Sequence, residues 1–88
     1  FIARGRSHRE SGHHSKAIDA FTEAIRLRPD HADTFNDRGL AHAGLGNHQK
    51  AIDDYTEGIR LGPDNPDSFN GRAISYDELG EHQKAIDD

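Results

Sequence analysis

Eighty-eight residues, 32% hydrophobic and 31% charged, allow one small domain with no thick globular core. The formal net charge is −5, and eleven Lys and Arg are scattered among sixteen Asp and Glu, which argues against a surface built to neutralise phosphates. Cysteine is absent, so there is no disulfide framework or thiolate, and no apolar stretch approaches the roughly 20 residues that span a bilayer.

A first helix is expected near residues 1–11, carrying Phe1, Arg4, Gly5 and His8. The chain opens at Phe1 without a signal-peptide pattern, so it is expected to be a piece of something longer, with the cytosol as default compartment. Gly12 marks a turn, and a second helix is expected near 15–28 with Ala17, Ile18 and Phe21 on its apolar face, closed by Pro29.

The same plan then repeats. Phe35, Arg38, Gly39, Gly46, Ala51, Ile52 and Pro63 each stand 34 residues beyond Phe1, Arg4, Gly5, Gly12, Ala17, Ile18 and Pro29. Residues 1–34 and 35–68 match at 18 of 34 positions, and residues 35–54 and 69–88 at 12 of 20. Helices are expected near 33–45 and 49–61, separated where Gly46 accepts a left-handed backbone. Gly58 replaces the Ala24 of the first unit, which costs about 1 kcal/mol of helix propensity.

Asn65 followed by Pro66 signals the start of a helix near 67–79, with a stub from 83. The acidic pairs Asp53-Asp54 and Asp87-Asp88 fall near repeated helix starts, where negative charge suits the helix dipole. Asp54 is also the acidic candidate opposite Arg38, and Asp88 opposite Arg72, whereas Ala20 leaves Arg4 without a counterpart. An Arg38–Asp54 ion pair is expected to fix the helix crossing.

A 34-residue helix-turn-helix period with these markers resembles the tetratricopeptide repeat. The second unit shows Phe35, Gly39, Gly46, Ala51, Tyr55, Gly58 and Pro63 at the marker spacings. The first shows Phe1, Gly5, Gly12, Ala17, Phe21, Ala24 and Pro29, and the third Phe69, Ala73, Tyr76, Gly80 and Ala85. Arginine at 4, 38 and 72, where the family often has leucine, makes the packing more polar than usual.

The resemblance implies an all-α solenoid of antiparallel helix pairs with a right-handed superhelix. It implies one domain over 1–88, divided into repeats 1–34 and 35–68 and a partial repeat 69–88. The first helix of each unit would line a concave groove that receives a partner segment. Carried over, the groove positions are Ile2, Ala3, Arg6, Arg9 and Glu10 in the first unit. They are Asp33, Asn36, Asp37, Leu40 and Ala43 in the second, and Asp67, Asn70, Gly71, Ile74, Asp77 and Glu78 in the third. The plain alternative is that these residues form a solvated helix face.

The resemblance therefore implies a protein-interaction scaffold and not an enzyme. One family subclass clamps the acidic tails of heat-shock chaperones with five groove positions. Here they hold Ile2, Arg6, Asp37, Asp67 and Gly71, and two acids among the five would repel such a tail. The expected partner is a protein or peptide offering a basic or polar segment, with no role in binding nucleic acid or membrane. The rival reading is self-assembly of copies through exposed repeat ends, by stacking end to end or by exchanging helices.

No cofactor is expected, nor is a metal. His14, His48 and His82 recur once per unit and suggest a weaker third reading, a metal-responsive scaffold. Neighbouring helices lie about 8–10 Å apart, whereas zinc ligands close to about 2.0–2.1 Å, so such a ladder is not expected to converge on one ion.

Overall fold

The computed structural model describes the backbone of residues 2–87 and the side chains of residues 12–80. Among the described residues four helices follow one another: α1 (Ile2–Leu27), α2 (Ala32–Gly44), α3 (His48–Leu61) and α4 (Pro66–Asp87). They stack in chain order, α1 on α2, α2 on α3 and α3 on α4, and α2 also reaches α4. Among the described residues there is no strand. The architecture is an all-α helical repeat solenoid.

The α2–α3 turn forms as its glycine requires. Gly46 has φ 84° and is the only residue with positive φ among those described. Its N–H donates to the Ala43 carbonyl at 3.0 Å, and that of Asn47 to the His42 carbonyl at 2.9 Å. This pair of bonds is the Schellman closure, which satisfies carbonyls that a helix end would otherwise orphan. At the head of α4 the Asn65 side chain accepts from the Asp67 N–H at 2.9 Å, so the asparagine caps and Pro66 opens the first turn.

Two expected turns do not form. Gly12 lies inside α1 and Gly80 inside α4, so the helix pairs expected at 1–11 with 15–28, and at 67–79 with a stub from 83, are each one continuous helix. A lone glycine weakens a helix by about 1 kcal/mol relative to alanine but does not end it. The α2–α3 hairpin is packed on both flanks, by α1 and by α4. Gly44 weakens α2 just before its end as well. A turn at Gly12 or Gly80 has no such double reward, and the backbone keeps its helical bonds instead.

The core is small and sits at the α2–α3 crossing. Phe35, Ala41, Ala51, Ile52 and Tyr55 are buried there. A β-carbon on Gly39 would stand 3.1 Å from the Tyr55 ring and 3.3 Å from the Ala51 carbonyl oxygen, so the glycine permits the close approach. Gly71 likewise leaves room for the Tyr55 ring from the α4 side. One phenol ring thus packs against small residues of two neighbouring helices.

The two kinds of glycine should respond oppositely to alanine. Gly46→Ala puts a side chain at positive φ and is expected to lower stability by about 1–2 kcal/mol. Gly12→Ala, in mid-helix with nothing within 4 Å of the new methyl, is expected to raise it by about 1 kcal/mol. Urea unfolding of both variants measures the signs, and a loss of stability in Gly12→Ala would mean that the chain does turn there.

Candidate functional site

A groove of about 520 Å³ opens between α2 and α4, with one residue of α3 at its base. Asp33, Asn36, Asp37 and Leu40 line it from α2, Asp67, Asn70 and Gly71 from α4, Asn65 from the preceding turn, and Tyr55 from α3. The stacking of α2 beside α4 makes this possible, because residues one period apart then face the same space. Asp33 and Asp67 are such a pair, as are Asn36 and Asn70.

Seven of the expected groove residues therefore come together: Asp33, Asn36, Asp37, Leu40, Asp67, Asn70 and Gly71. Ile74, Asp77 and Glu78 are exposed further along α4 and do not line the groove. Arg6 and Arg9 belong to the part of α1 whose side chains lie outside those described, as do Ile2, Ala3, Arg4 and Glu10. Tyr55 and Asn65 were not expected. Tyr55 reads as core and Asn65 as a cap, and each does that job while also facing the groove. Burial holds the Tyr55 phenol above its usual range, with Asp54 adding to the effect, so it stays a neutral hydroxyl.

The groove combines carboxylates with apolar surface. Leu40 is 65% exposed although it is a large aliphatic residue. Asn36 is the opposite case, a polar side chain only 9% exposed. Neither its amide nitrogen nor its oxygen has a hydrogen-bond partner. An orphaned buried amide costs about 1–3 kcal/mol. Its neighbour is Gly58, where any β-carbon would overlap the Asn36 Oδ1. The glycine that weakens α3 is thus the one that makes room for the asparagine.

Behind the groove lies the polar lock that the sequence suggests. Arg38 donates from Nε to Asp54 Oδ2 at 2.9 Å and from Nη2 to Asp54 Oδ1 at 2.7 Å, a bidentate fork. Its Nη1 donates to Thr22 Oγ1 at 3.2 Å, so one guanidinium ties α1, α2 and α3. Arg72 repeats the outer half of this arrangement, donating to Thr56 Oγ1 at 3.3 Å. The Arg72–Asp88 pair falls outside the described residues. Arg38 and Arg72 also lie over Phe35 and Phe69, with 5.8 Å and 5.9 Å to the ring centres. The dipole reading of Asp53-Asp54 is corrected: α3 begins at His48, its first turn holds no acid, and Asp54 is buried against Arg38.

His42 completes the cluster, its Nε2 3.7 Å from Asp54 Oδ2. Burial lowers its pKa, Asp54 partly opposes that, and Arg38 and Lys50 add to the lowering. Among the described residues no group of three His, Asp or Glu converges in a way that could hold a metal ion. His14 packs against Gly44 instead, and His82 is outside the described side chains.

The Arg38–Asp54 fork should show strong coupling. Arg38→Leu or Asp54→Leu alone is expected to cost about 2–3 kcal/mol, because each strands a charge of the opposite sign. The double change should cost less than the two singles added, and a double-mutant cycle with no coupling would contradict the lock. His42 adds a pH term. The fold prefers its neutral form, so the stabilisation is complete above the unfolded value of about 6.5 and is lost as pH falls through the lower folded value. Melting curves between pH 7.5 and pH 5 should fall less for His42→Gln than for the unchanged chain.

A family model described as tetratricopeptide repeat matches residues 2–66 and again residues 37–88. No curated protein matches the chain.

Proposed function

The chain belongs to the tetratricopeptide repeat family, whose repeats are generally protein-interaction modules, and from that premise we propose that it holds a partner protein or peptide in the groove between α2 and α4. The observation that carries this reading is the meeting of Asp33, Asn36, Asp37, Leu40, Asp67 and Asn70 around one open space. Ile74, Asp77 and Glu78 extend the same surface along α4, and the expected Arg6 and Arg9 fall outside the described side chains. The unit of function is one domain made of repeats 1–34 and 35–68 and a partial repeat from 69. It acts as a scaffold without catalysis, as is typical of the family, and needs no cofactor.

The carboxylates of Asp33, Asp37 and Asp67 favour a basic or polar segment over an acidic one. Changing Leu40 and Asp37 together to arginine should abolish capture of partners that the unchanged chain retains, with melting temperature unaltered. Partners held equally well by that variant would rule the groove out. Association with a groove partner should slow as salt rises, because complementary charge mainly speeds encounter. Stopped-flow rates that do not change between 50 mM and 500 mM salt would count against it.

A second reading has its own support. Phe69 and Tyr76, seven residues apart on one face of α4, are 42% and 54% exposed, an apolar surface of the kind that joins molecules. Copies would then associate through α4, and the mass of the species should rise with concentration in light scattering. A constant monomer mass over a hundredfold range would leave the groove reading alone.

A further inference from the structure

Asn36 shares with His42, His48, Ser68 and Ser75 a buried side-chain polar atom without a partner, and among these it is the one that lines the groove. It is nine-tenths buried, it lines the groove, and both of its side-chain polar atoms are unpartnered. The first unit has Ile2 and Ala24 where the second has Asn36 and Gly58. Asparagine and the glycine that accommodates it therefore arrive together. Asn70 repeats the amide one period on and lines the same groove from α4.

A side-chain amide carries a donor and an acceptor, the set that one peptide unit also carries. The torsion that orients it is soft, so the amide can turn from Gly58 towards a chain lying in the groove. An extended segment keeps peptide N–H and C=O groups free for such pairing, as it does when it adds to a sheet edge. Three carboxylates and no Lys or Arg line the groove around this amide, and Leu40 adds exposed aliphatic surface. Binding a segment without a cation would strip water from those carboxylates with nothing in exchange.

Resting on the groove reading above, we propose that the occupant is an extended segment of a partner protein carrying a Lys or Arg close to an aliphatic residue. Asn36 pairs with its main chain, Asp33, Asp37 and Asp67 receive the cation, and Leu40 receives the aliphatic side chain. Packed helices lie about 8–10 Å apart, and an extended chain rises about 3.3 Å per residue. A cation held at Asp67 on α4 and an aliphatic group at Leu40 on α2 are then about three residues apart in the ligand.

A display library of unstructured dodecapeptides panned against the 88-residue chain tests this, with selected peptides measured by fluorescence anisotropy and mapped by amide chemical shifts. The expected winners carry Lys or Arg about three positions from Leu, Ile or Val and shift resonances of α2 and α4. Asn36→Ala should weaken them at least tenfold while the melting temperature holds or rises, since the variant loses only an unpartnered amide. Scanning methylation of the peptide N–H groups should find one position that weakens binding to the unchanged chain and not to Asn36→Ala. Groove binders that lack a cation, or that bind Asn36→Ala as well, overturn this inference and leave the groove reading standing. Recovery of no binder, or only of binders that map outside the groove, overturns both.

Discussion

The Arg38–Asp54 fork is the constraint on which the remaining geometry rests. Among the described residues five apolar side chains are buried, so hydrophobic burial alone places the helices loosely. A planar guanidinium bound to both oxygens of a buried carboxylate admits one distance and one orientation. Because the same Arg38 also donates to Thr22, the crossing of α2 on α3 and the seat of α1 on α2 are set together. Tyr55 then carries that placement across to α4 through the space left by Gly39 and Gly71. The groove is the far side of this arrangement: α2 and α4 face it, and α3 supplies its base.

Much of this was legible in the sequence, for local reasons. The 34-residue step announces stacked units, and the facing of Arg38 and Asp54 follows from the step together with helical spacing. Asn65-Pro66 is a cap whose chemistry is complete within three residues, and the structure forms it. What escaped depends on neighbours. Gly12, Gly46 and Gly80 hold the same place in each unit, yet only Gly46 turns the chain. The difference lies in what flanks each glycine in space, and sequence position does not encode that.

The candidate site divides along the same line. Its acidic and aliphatic members follow from their register on α2 and α4. The burial of Asn36 does not, because an asparagine on a groove-facing helix reads as solvated. One signal was available in Gly58, which appears as a defect of helix propensity and turns out to clear space for that amide. Asp54 carries two readings in the sequence, a dipole partner near a helix start and the counterion of Arg38, and the packed structure keeps the second. Local cost at Gly58 and at Asn36 coincides beside the groove.

If the fork organises the molecule, it should also define the most stable cooperative unit. Native-state hydrogen exchange read residue by residue measures this directly. The account predicts that amides of 35–42 in α2 and 51–58 in α3 are the slowest and share one opening free energy. Asp54→Asn should lower that shared value and shorten the protection of both helices equally. Protection centred on α1 or α4, or an Asp54→Asn effect confined to α3, would contradict the claim that one ion pair holds these helices together.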